Sequence, residues 1–114
     1  MENRSNPGFI SGIPELLILK LLQEREMYGY EIVQAIARAT GQTVTPGEGV
    51  VYPVLHGLEK DGALKAQARP VGGRTRIYYA LTAKGVRRLF TLTDEWTRVN
   101  RAVGLVIRGD AHAV

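Results

Sequence analysis

The longest apolar run of the chain, Leu16 to Leu22, is broken only by Lys20, and the elements can be read outward from it. Pro14 stands where a first helical residue belongs and Glu15 lies in the first turn, so a helix is predicted from there to about Arg25. Leu16, Leu17, Ile18, Leu19, Leu21 and Leu22 surround it, which implies burial on more than one side. A second helix is predicted from about Tyr28 to Ala39, with Ile32, Ala35, Ile36 and Ala39 three and four apart and Gly41 as its stop. Thr45-Pro46-Gly47-Glu48 has the spacing of a capping box with a first-turn proline and announces a third helix. Val51, Val54, Leu55 and Leu58 form its buried face and Gly62 closes it. Pro53 inside that helix, four residues after Gly49, predicts a kink and not a break.

Two β-prone stretches follow, roughly Leu64–Arg69 and Arg76–Leu81, with Pro70 to Thr75 as the turn of a hairpin. Thr82 then caps a long helix reaching about Ile107. Along it Leu89, Leu92, Trp96, Val99, Val103 and Val106 keep a heptad spacing for about two and a half heptads. The pattern divides the chain into a flexible arm (1–12), a folded domain (13–82), a C-terminal helix (83–108) and a tail (109–114).

Composition narrows the chemistry. The chain has 114 residues and no cysteine, which excludes a disulfide framework, thiolate metal sites and cysteine catalysis. The apolar run is far short of the ~20 residues that span a bilayer. The start of the chain has no apolar segment ahead of a small-residue cleavage site, so the expected compartment is the cytoplasm. His56 and His112 make neither a triad nor a metal site, and no Gly-rich loop joins a strand to a helix. The expectation is therefore no enzyme, no metal and no cofactor.

Charge is unevenly placed. The chain carries a net +4, yet Lys60 to Arg88 alone holds eight basic residues against Asp61. Such a segment suits a polyanion surface, because each neutralised phosphate releases counterions. A solvated basic face without a partner has the same composition, and charge alone does not separate the two.

Topology does. Three helices followed by a hairpin make a winged helix-turn-helix, a mainly α fold with a small β-hairpin. In that fold the third helix enters the major groove and the hairpin, or wing, approaches the backbone or the minor groove. The long last helix has no place inside such a core. Its seam and the all-apolar first helix imply a homodimer built on Leu17, Leu21, Leu89, Leu92, Trp96, Val99, Val103 and Val106. The rival arrangement is a fold-back of the last helix over its own core.

Four segments in register carry a resemblance. Tyr28-Gly29-Tyr30-Glu31-Ile32, the run Pro46 to Leu55 with its Tyr52-Pro53, Leu58-Glu59-Lys60-Asp61-Gly62, and the run Gly73 to Gly85 together resemble the PadR family of bacterial transcriptional regulators. The likeness covers roughly residues 13 to 107, in the compact branch with a single C-terminal helix. One departure is Glu48-Gly49, where the family more often has a small residue and Thr, so operator preference does not transfer.

The resemblance implies double-stranded operator DNA as partner and repression as the activity. With the helix positions it gives Thr45, Pro46, Gly47, Glu48, Gly49, Tyr52, His56, Gly73, Arg74 and Arg76 as DNA contacts. Tyr28 and Tyr30 read as structural; Arg69 and Lys65 read as solvated strand residues, and Lys84, Arg87 and Arg88 as either backbone contacts or surface charge. In some multidrug-responsive members the tryptophan at the place of Trp96 lines a central pore that takes flat aromatic ligands. Carried over, Trp96, Asn100, Leu16 and Lys20 line an effector site, and Lys20 favours an anionic aromatic. Trp96 as simple interface filler is the other reading. From a different class come a dimeric winged-helix protein-interaction module and, third, an RNA binder.

Overall fold

The computed structural model describes residues 12–109. Its elements are α1 (Ile13–Glu24), β1 (Met27–Tyr28), α2 (Gly29–Ala39), α3 (Glu48–Lys60), β2 (Leu64–Val71), β3 (Arg74–Leu81) and α4 (Ala83–Ile107). The expected arm and tail lie, apart from Gly12 and Gly109, outside the described residues.

Each helix begins and ends for a local reason. Pro14 is the second residue of α1, one place later than expected, where its missing N–H still costs nothing. Tyr28 is the N-cap of α2 and not its first residue; the Glu31 side chain accepts from its backbone N–H at 3.2 Å. α3 runs unbroken through Pro53. It closes with two bonds, Ala63 N–H to Leu58 O at 2.8 Å and Gly62 N–H to Glu59 O at 3.0 Å, a Schellman arrangement with Gly62 at φ +83°. At α4 the Thr82 hydroxyl accepts from Gly85 N–H at 3.1 Å, the cap the sequence suggested.

The hairpin is longer and tighter than its propensities indicated. β2 and β3 pair antiparallel from Leu64↔Leu81 to Val71↔Arg74, so only Gly72 and Gly73 remain in the turn. Both have positive φ (55° and 82°), the signature of a two-residue loop whose twist matches the strands. Pro70 and Thr75 belong to the ladder and not to the loop. A third strand, absent from the sequence reading, completes the sheet in the order β1-β3-β2, with Met27↔Tyr79 and Tyr28↔Tyr78. Two residues are too few to show an alternating pattern.

Ile18, Leu19, Leu22, Ile32, Ile36, Val51, Leu55, Leu58 and Tyr79 form the buried core that α1, α2, α3 and the sheet share. Leu89 of α4 is buried with them, and Leu92 packs against the cluster. Beyond that point α4 leaves the core. Trp96, Val99, Val103 and Val106 are exposed, so the helix is not folded back over its own domain. The seam read as one interface is thus divided: Leu89 and Leu92 pack with the monomer's own core and the last four positions face outward. Among the described residues no helix is long and apolar enough to cross a membrane.

Candidate nucleic-acid interface

The turn between α2 and α3 is pinned from inside. The Thr40 hydroxyl donates to Ile36 O at 2.8 Å and accepts from Val44 N–H at 3.0 Å, curling residues 40–44 over the end of α2. Pro46 is buried and anchors the approach to α3, so it is not available to touch DNA. The capping box expected at Thr45 does not form. With Pro46 held in the loop, the helix starts two residues later on Gly47, whose carbonyl accepts from Val50 and Val51, both at 3.0 Å. Thr45, Gly47, Glu48 and Gly49 all remain exposed at the head of α3.

On the wing, Gly73 and Arg74 are exposed at the tip. Arg76 is not. Its guanidinium lies over the Tyr28 ring at 4.3 Å, and its Nε is shielded from solvent without a hydrogen-bond partner. Tyr28 meets Tyr78 edge-on at 5.5 Å, and Arg69 lies over Tyr78 at 4.8 Å. Arg69, expected to be solvated, also forms an ion pair with Glu26. The result is a ladder of cation, ring, ring and cation across β1, β3 and β2. Lys65 is exposed, as read from the sequence.

Between α2, the face of α3 and the wing lies a cleft of about 250 Å³, lined by Tyr28, Gly29, Tyr30, Tyr52, His56, Thr75, Arg76, Ile77 and Tyr79. The Tyr52 ring rests on Gly29 so closely that a Cβ there would come within 2.4 Å of it. His56, one turn on, has its ring 6.3 Å away. Burial pushes the Tyr52 phenol above its ordinary pKa, Glu48 adds to the shift and Arg76 opposes it. Tyr79 is raised for similar reasons, burial first and then Glu59 and Tyr52. Both phenols are therefore neutral donors at pH 7. The structure thus brings Tyr52, His56 and Arg76 together, and adds Tyr28 and Tyr30, which the sequence reading had assigned to structure alone. The available signal for Tyr28 was the Arg76–Tyr78 alternation, which puts a cation and a ring on one face of a strand.

Of the basic residues on α4, Lys84 and Arg87 are exposed. Arg88 is committed to Glu15 at 2.5 Å and to Asp61 at 3.7 Å, and so is not a free backbone contact.

The proposed effector residues separate. Leu16, Leu92, Trp96 and Val99 line a groove of about 280 Å³ together with Gly12, Ile13 and Glu95. Asn100 is exposed and outside it. Lys20 lies instead with Leu17, Leu21, Glu24 and Ile36 in a second groove of about 210 Å³ between α1 and α2. Leu16 and Lys20 are one turn apart on α1, yet Lys20 borders the groove on the side of Leu17 and Leu21, which faces α2, and Leu16 borders the one facing α4. Among the described residues no group of three or more His, Asp or Glu could hold a metal ion.

Residues 18–95 match the model of the Transcriptional regulator PadR-like family. Transcriptional regulator Rv3488 of Mycobacterium tuberculosis is 34% identical over 97 residues, covering 85% of this chain and 85% of that protein. A transcriptional regulator structure from Clostridium thermocellum superposes with a TM-score of 0.80 at 29% identity, over 85% of this chain and 95% of its own. A PadR family transcriptional regulator from Eggerthella lenta gives 0.77 at 27% identity, over 88% and 86%.

Proposed function

The chain belongs to the PadR-like family of transcriptional regulators, and from this we propose that it is a cytoplasmic homodimeric repressor of operator DNA, released by a small aromatic effector. The observation that carries the reading is the cleft in which Tyr52 and His56 of α3 stand with Thr75 and Arg76 of the wing. The exposed head of α3 and the exposed Gly73 and Arg74 flank it. A reading helix and a cationic wing on one side suit a groove and its adjacent backbone.

The dimer is supported by α4. Trp96, Val99, Val103 and Val106 form an exposed apolar stripe at three- and four-residue spacing, more than a single chain leaves to water without a partner. Two copies joined there present two reading heads, suited to half-sites about one turn or ~34 Å apart. The groove at Leu16 and Trp96 adjoins the same stripe, so a partner helix would complete its wall. Its lining is apolar apart from Glu95, and Lys20 is elsewhere. A neutral or cationic planar aromatic fits this lining better than the anionic one implied by Lys20. Release then follows from unequal affinity of the ligand for two dimer geometries.

The test is binding of the purified protein to its own promoter fragment against a scrambled duplex of equal length, at two salt concentrations. A preference of ~10³ or more supports operator recognition. Equal affinities falling together with salt leave only a basic surface. No duplex binding at low salt would instead favour a dimeric winged-helix module that binds protein.

A further inference from the structure

Arg69 and Arg76 are directly opposed in the ladder of β2 and β3, and each guanidinium lies over a tyrosine ring. Their surroundings differ in one respect. Arg69 has the Glu26 carboxylate; Arg76 has no hydrogen bond or ion pair with any described residue, and its Nε is sealed from water. A charged guanidinium without an acceptor among the described residues is unfavourable, and an acceptor that meets its less buried N–H groups from outside would improve it.

The cleft that Arg76 lines is suited to supply one kind of acceptor. Its polar side chains are the guanidinium, the phenols of Tyr28, Tyr30, Tyr52 and Tyr79, the Thr75 hydroxyl and the His56 ring, and no carboxylate is among them. Such a set is rich in donors and selects an anion with several acceptor oxygens. The ring of Tyr28 fixes the plane of the guanidinium, so the fork is oriented before the ligand comes. The cleft also lies between the two elements assigned to DNA.

We propose that the cleft between α3 and the wing seats one phosphate of the DNA backbone, and that Tyr28 is the positioning residue that holds Arg76 to meet it. The proposal rests on the DNA-binding reading above and deepens it. It gives Tyr28 a role through its ring, and it makes Arg76 a fixed backbone contact and not a mobile wing-tip one.

The test is the salt dependence of duplex affinity for the full chain, on a random duplex as well as the promoter fragment. Arg76→Met and Tyr28→Leu should each weaken binding about tenfold on both duplexes, and Arg76→Met, which removes the charge, should also reduce the salt slope by about 1. Tyr28→Phe, which keeps the ring and removes only the phenol, should keep the salt slope and lose less affinity than Tyr28→Leu. Arg76→Lys keeps the charge but not the planar fork, and should lose affinity with little change of slope. It also serves if Tyr28→Leu does not fold. On a specific duplex, one methylphosphonate position should weaken the wild type and leave Arg76→Met unaffected. Unchanged slope and affinity in Arg76→Met, with wild type still binding DNA, would overturn the seat and leave the regulator reading intact. Tyr28→Phe falling as far as Tyr28→Leu, or Arg76→Lys binding like wild type, would overturn the role of the ring. A shift of the Arg76 Nε–H resonance with millimolar inorganic phosphate, together with duplex binding that no methylphosphonate position weakens, would mean a free-anion site and sink the DNA assignment. A wild type that binds neither duplex removes the seat together with the reading beneath it.

Discussion

A Cβ placed on Gly85 would lie 2.2 Å from the carbonyl oxygen of Ala63. That carbonyl is the first residue past the closing turn of α3, and it also accepts from Thr82 N–H at 3.1 Å. The Thr82 hydroxyl in turn donates to Gly62 O at 2.6 Å. The start of the long helix is therefore seated directly on the end of the reading helix, backbone against backbone at Gly85 and Ala63, with the Thr82 hydroxyl and the Leu81 side chain beside the contact.

Gly85→Ala must move that backbone, because the obstructing atom is not the end of a flexible chain. We expect a loss of about 2–3 kcal/mol in urea unfolding, in the range of overpacking and broken-cap effects. Alanine is otherwise the better helix former by about 1 kcal/mol. A variant as stable as wild type would show that this joint has slack.

A second tie links the same elements through charge. Arg88 Nε donates to Glu15 Oε2 at 2.5 Å and its Nη1 lies 3.7 Å from Asp61 Oδ2, so one side chain bridges α4, α1 and the cap of α3. The hydrogen bond to Glu15 is the main reason the Arg88 pKa is raised, ahead of the opposing effect of burial. Both side chains are partly solvated, which limits the worth of the pair. A double-mutant cycle of Glu15→Gln and Arg88→Met should give a coupling of about 0.5–1 kcal/mol. Zero coupling would reduce the bridge to a surface contact.

These ties explain what the sequence did and did not reveal. Apolar spacing, helix-start prolines and caps together located all four helices, with Thr82 announcing the last by local chemistry. Spacing could not divide the α4 seam between core and surface, since Leu89 and Val103 occupy equivalent heptad places. Nor did the resemblance place Lys20: carried over, it joins Leu16 in one site, but it borders the separate groove between α1 and α2. β1 is too short to carry a period, and Tyr28 acquires its partner only when β3 comes beside it. The Thr45 capping box failed because burial of Pro46 outweighed a local preference worth about 1 kcal/mol.

Alkaline pH should weaken the fold through two phenols. Tyr52 and Tyr79 both have pKa values raised by burial, with nearby carboxylates adding to the effect. A raised folded value means that the unfolded chain loses its proton first, near pH ~10. The stabilising contribution is thus complete below that pH and is lost as pH rises through the folded values. Urea midpoints should fall above pH ~10, and Tyr79→Phe should fall less steeply than wild type. Parallel curves for the two proteins would remove Tyr79 from the explanation.

Leu89 and Val103 test the divided seam directly. Leu89 is only 5% exposed, within the core of its own chain, whereas Val103 is 49% exposed on the free half of α4. Truncating the first leaves a cavity; charging the second affects only what packs on it. Leu89→Ala should therefore cost about 2–5 kcal/mol. Val103→Asp should preserve the winged-helix amide spectrum and lower the sedimenting mass from dimer to monomer. The concentration dependence of Tm separates the two further: it should be present in wild type and absent in Val103→Asp, because association stabilises by mass action. If Val103→Asp kept both the dimer mass and that dependence, the exposed half of α4 would not be the dimer contact. The apolar stripe would then need another partner.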